Sequence, residues 1–111
     1  MRIANKAAAS MVANRRPFEG SNLFARETHV VQSETTLYVV YSYGEHFPMY
    51  IAETTADNVT HWYANTDRYS QSTTRHQSQA RPNINCIPMD TTRMKHLAKG
   101  GLMELVARGL A

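Results

Sequence analysis

The chain carries one cysteine, four prolines and five glycines in 111 residues. The single Cys86 excludes an internal disulfide framework and any cysteine-only zinc site. No apolar run approaches the roughly 18 residues that span a bilayer as a helix, so a membrane partner is not expected. Charged residues, at 19%, fall below the usual quarter of a globular chain. The five histidines include no pair at the i, i+3 or i, i+4 spacing of a helical metal site, and no metal or other cofactor is expected. The first thirteen residues have a basic start and an Ala-rich stretch, but no apolar segment long enough for a secretory signal, which points to the cytoplasm.

Apolar residues make up 42% of the chain and aromatics 9%, too much for disorder along its whole length. The length suits a single domain over residues 1–111. Its formal net charge of +3 is unevenly distributed. Residues 1–26 hold five bases against Glu19 alone. Residues 27–66 hold five acids and no Lys or Arg, and residues 67–111 hold seven bases against three acids. Such blocks suit either mutual packing of opposite charges or a basic surface made by the two ends.

Ala, Met and Lys favour a short helix over residues 3–15, ended by Pro17. Residues 28–32 and 36–43 read as strands. Leu37 to Tyr43 is nearly all β-branched or aromatic and apolar on both faces, which makes it a central strand. Residues 49–53 and 61–64 supply a third and a fourth strand after short connections. Asp90 or Thr91 caps a C-terminal helix with an apolar stripe of Met94, Leu97, Ala98, Leu102, Leu105 and Val106, interrupted at Gly100-Gly101. The expected fold is α+β: a three- to four-stranded antiparallel sheet packed by N- and C-terminal helices.

Residues 67–82 show neither a clean helical nor a clean strand period. They are crowded with hydroxyls, amides, Arg and His. Arg68, Arg75 and Arg81 suit phosphate oxygens through their paired donors. Ser72, Thr74, His76 and Gln77 add neutral contacts, and Tyr69 a stacking surface. A solvated loop or edge strand explains the same composition. As a second reading, Tyr41, Tyr43, Glu45 and Tyr50 form an aromatic sheet face that binds another protein. A small nuclease using His76 with Arg75 or Arg81 has the residue types but no supporting spacing, so no catalytic residue is assigned and the chain is read as non-enzymatic. A homodimer through a sheet edge or the C-terminal helix is compatible with the pattern.

The series Leu37-Tyr38-Val39-Val40-Tyr41-Ser42-Tyr43-Gly44, Phe47-Pro48-Met49-Tyr50, Trp62-Tyr63-Ala64-Asn65, residues 69–79 and Arg81-Pro82 resembles a group of small uncharacterised accessory proteins encoded by tailed bacteriophages. The resemblance covers residues 37–82. It implies a product made in the cytoplasm of a bacterial host, with nucleic acid as partner or, in the second reading, an inhibitor that binds a host protein, such as a defence component, through the aromatic sheet face. It carries no activity with it.

Overall fold

The structure is a computed structural model, described here over residues 2–68 and 70–111. Its centre is β3 (Thr35–Ser42), buried at every position but Thr36. A strand apolar on both faces must be covered on both. Leu37, Val39 and Tyr41 project to one side, and Tyr38 and Val40 to the other.

β3 lies between β2 (Leu23–Val30) and β4 (Pro48–Thr54), both antiparallel to it. β5 (Thr60–Asn65) continues the antiparallel run, β1 (Phe18–Glu19) closes the β2 side, and β6 (Ile87–Met89) pairs in parallel with β5. The sheet order is β1-β2-β3-β4-β5-β6. Helix α1 (Ala8–Ala13), preceded by a 3-10 turn, and α2 (Gln71–Ala80) cover one face. Ala8, Val12 and Ala80 pack there with Phe18, Leu23, Tyr38, Val40, Phe47 and Trp62. Helices α3 (Thr91–Gly100) and α4 (Leu102–Ala107) cover the other, with Met94, Leu97 and Leu105 against Leu37, Val39, Ile51 and Tyr63.

The α+β class is as expected, but the three- to four-stranded antiparallel sheet is not what forms. Among the described residues the sheet is six-stranded and mixed, with four α-helices. The reasons are local. β2 runs back to Leu23, because Leu23 and Ala25 bury on the α1 side while its second half stays exposed, which hides the alternation. β1 and β6 have two and three residues, too few to show a period. Residues 71–80 are helical, and a helical crossover is what lets β6 pair in parallel with β5. Both sheet edges are blunted: β1 is very short, and Pro88 in β6 has no N–H to offer a further strand.

Helix α2 forms despite its polar composition. Ser70 caps it, its hydroxyl accepting from the Thr73 N–H at 3.1 Å. Its buried residues are Thr73, His76, Gln77 and Ala80, a stripe at i, i+3, i+4 and i+7. Arg81-Pro82 ends it, since a residue before proline leaves the α region. Among the described residues no helix is long and apolar enough to cross a membrane.

Candidate functional site

The β5–α2–β6 crossover makes a cleft of about 480 Å³. Its walls are the end of β5 (Ala64, Asn65), Thr66 and Arg68, the α2 side chains Gln77 and Ser78, then Arg81, and the approach to β6 (Ile84, Asn85, Cys86), with Tyr50 of β4 between them. None of these residues is acidic. Among the described residues, neither Arg68 nor Arg81 has an ion-pair partner.

Arg68 and Arg81 both line the cleft that Tyr50 also lines. Burial pushes the Tyr50 phenol above the ordinary value, while Arg81 and, more weakly, Arg68 pull it down. Its hydroxyl donates to the Gln77 carbonyl at 2.7 Å, which fixes α2 over β4. Burial likewise pushes the Cys86 thiol up, with Arg81 opposing.

The cleft floor is rigidly bonded. The Asn65 side-chain amide donates to the Pro48 carbonyl at 2.9 Å and to the Thr91 hydroxyl at 3.0 Å, and its oxygen accepts from the Asp67 N–H at 2.8 Å. The Gln77 amide donates to the Asn65 carbonyl at 3.3 Å and the Asp67 carbonyl at 3.1 Å. The Asp67 carboxylate accepts from the Thr91 N–H at 2.9 Å, which holds its pKa below the ordinary value.

Of the residues expected at a phosphate site, Arg68, Gln77 and Arg81 line this cleft together. Tyr69 lies outside the described residues. Ser72 and Thr74 are half-buried and do not line it, and the Thr74 hydroxyl donates back to the Ser70 carbonyl at 3.0 Å. Arg75 is exposed on another side of α2, roughly 160° around the helix from Gln77. His76 is buried. Its Nδ1 lies 2.7 Å from the Ser42 hydroxyl at the end of β3, and the Tyr43 ring tilts against it at 5.3 Å. Asn65, Thr66, Ser78, Asn85 and Cys86 join the cleft without any spacing signal that sequence reasoning could use.

The aromatic face does not assemble as expected. Tyr41 is buried on the α3/α4 side, stacked on Phe24 at 5.1 Å, and its phenol is pushed up to about 12 by burial. Tyr50 is buried on the opposite side. Only Tyr43 and Glu45 of that group are exposed. Exposed apolar surface lies instead on α4, where Leu102, Met103 and Val106 flank a groove of about 720 Å³. Among the described residues no three His, Cys, Asp or Glu side chains gather as a metal site.

Burial and the neighbouring Arg75 charge both lower the His76 pKa. The unfolded chain therefore binds a proton near pH 6.5 that the folded chain refuses until lower pH. Stability is full above pH 6.5 and falls as pH drops below it, by no more than about 1.4 kcal/mol per pH unit. Melting curves between pH 7.5 and 5 should show a steeper loss for the wild type than for His76→Gln. Parallel curves would mean that His76 is protonated as readily in the folded chain as in the unfolded one.

Compared with known proteins, the chain matches no family model, and no curated protein or solved structure matches it significantly.

Proposed function

We propose that this chain is a small binding protein of the phage-accessory type, acting in the bacterial cytoplasm, that holds a phosphate-bearing ligand in the cleft between α2 and β5. The ligand is a nucleotide or a nucleic-acid strand. The observation that carries the reading is the pair Arg68 and Arg81, two guanidiniums without carboxylate partners among the described residues, facing one acid-free cleft. Guanidiniums match phosphate oxygens with paired, charge-assisted hydrogen bonds. Ser78, Thr66 and Asn85 add neutral polar groups around them.

The aromatic-face reading has less support, because Tyr41 and Tyr50 are core residues of opposite faces.

The test is anisotropy of a short fluorescent single strand across a salt series. Two phosphate contacts give a slope of about −1.4 in log affinity against log salt for a single strand. Arg68→Ala and Arg81→Ala should each flatten the slope by about 0.7 and weaken binding roughly tenfold or more. Arg75→Ala should stay near the wild type, since Arg75 does not line the cleft. Affinity that is flat with salt, or equally sensitive to Arg75, would overturn the assignment.

A further inference from the structure

The groove beside α4 shares no lining residue with the cleft. One wall is α4 itself, through Leu102, Met103, Val106 and Ala107. The other is the end of the sheet, from Thr35 of β3 through Glu53 of β4 to His61 of β5, with Thr55, Ala56 and Asp57 of the turn after β4. Leu102 is 43%, Met103 66% and Val106 63% exposed. On a helix these three positions fall within about 100° of one another, so they make one ridge. Leu105, turned the other way, is the α4 residue that packs into the core. An apolar ridge along a groove of about 720 Å³ is more than scattered apolar exposure, and it marks a partner site.

Charge selects the occupant. The ionisable side chains lining the groove are Glu53, Asp57 and His61, with no Lys or Arg among them. Glu34 stands exposed between Ser33 and Thr35, which both line it. The whole sheet-side wall is drawn from residues 27–66, the stretch with five acids and no Lys or Arg. Among the described residues none of Glu34, Glu53 and Asp57 has an ion-pair partner. A second copy related by a two-fold axis would bring two sets of the same acids together. An anionic lipid surface would meet the same repulsion. A partner that suits this groove is apolar on one side and cationic beside it.

A helix satisfies its own backbone N–H and C=O groups, so it enters an apolar groove without stranding them. The six residues of α4 are about 9 Å long, close to the roughly 10.5 Å between positions i and i+7 of a partner helix. We propose that the groove takes one basic amphipathic helix of another protein. Its apolar stripe lies against Leu102, Met103 and Val106, and its Lys or Arg side chains lie over Asp57 and Glu34. This interaction is independent of the phosphate cleft.

Fluorescence anisotropy on the full chain tests it, with a labelled model helix of about four turns that carries Leu at i, i+3, i+4 and i+7 and Lys elsewhere. A second peptide keeps the leucines and has Glu in place of Lys. The lysine helix should bind at least about tenfold tighter than the glutamate helix, because like charges across an interface reject the wrong partner. Met103→Gln and Val106→Gln should each weaken it about tenfold or more, as loss of an apolar anchor does. Both side chains are exposed, so melting curves should stay near the wild type. Asp57→Asn should weaken it about three- to fivefold and flatten its salt dependence. If either α4 variant unfolds, Asp57→Asn and the peptide pair decide. Arg81→Ala should leave peptide binding unchanged, because Arg81 lines the cleft and not the groove, so this proposal and the phosphate reading fail separately. Equal binding of the two peptides, or no binding of the lysine helix up to about 1 mM, would rule the proposal out. Self-association of the chain that Met103→Gln breaks would rule it out too, by making a second copy the occupant.

Discussion

Gly101→Ala is expected to destabilise the domain by about 3–5 kcal/mol, a large share of the 5–15 kcal/mol of a typical domain. Gly101 joins α3 to α4 at φ 73° and ψ −164°, a region that only glycine occupies without strain. The backbone term alone costs about 1–3 kcal/mol. A methyl group there would also collide with the Glu53 carboxylate and lie against Leu37. Glu53 is 5% exposed, and its oxygen accepts from the Leu102 N–H at 2.8 Å, so the carboxylate ties the start of α4 to the sheet. Displacing it loses a charge-assisted hydrogen bond worth about 1.5–3 kcal/mol. Urea denaturation measures the total. The same substitution made on Glu53→Ala should cost less, because only the backbone term remains. An effect under about 1 kcal/mol in the wild-type background would mean that the α3–α4 junction relaxes freely.

That junction was legible in the sequence, and the cleft was not. Gly100-Gly101 after an apolar stripe announces a break, and Asp90 announces the start of α3, because glycine and capping residues act on their own backbone. β3 was equally plain, since a run apolar on both faces can only be central. Helix α2 escaped because periodicity is sought in apolar residues, while its buried stripe is Thr73, His76, Gln77 and Ala80. Each of the three polar members is buried by a specific partner. The Ser42 hydroxyl holds His76, the Asn65 and Asp67 carbonyls hold Gln77, and the Ser70 hydroxyl meets Thr73. Two of those three depend on residues far along the chain, which spacing does not show. Arg68 and Arg81 were identifiable as phosphate-binding types, but only the intervening helix brings them to one cleft and turns Arg75 away. Tyr50 pairs with Val40, the residue before Tyr41 on β3, so strand alternation puts Tyr50 on the face of Val40 and Tyr41 on the other.

Asn65→Ala is expected to cost about 3–4 kcal/mol, because it strands several buried groups at once. The Pro48 carbonyl loses its donor from the Asn65 amide, the Asp67 N–H loses its acceptor, and the Thr91 hydroxyl loses its partner. Each buried polar group left unpaired costs about 1–3 kcal/mol, and the local backbone relaxes enough to recover part of the sum. Asn65→Asp should be about as damaging, since it keeps the acceptor but loses both donors and adds a charge in a buried place. Thr91→Val removes one member of the network and should cost about 1–2 kcal/mol. Thermal and urea melts rank the three; Asn65→Ala within 1 kcal/mol of the wild type would show that water replaces the amide. The consequence reaches the cleft. Asn65 accepts from Gln77 of α2 through its carbonyl and bonds Thr91 at the start of α3 through its side chain, so one residue couples the helical layers on both faces of the sheet. Affinity for a phosphate ligand, measured on the folded fraction of Asn65→Ala, should therefore fall too, because the Asp67 backbone, which precedes Arg68 and accepts from the Gln77 amide, loses its bond to the Asn65 side chain.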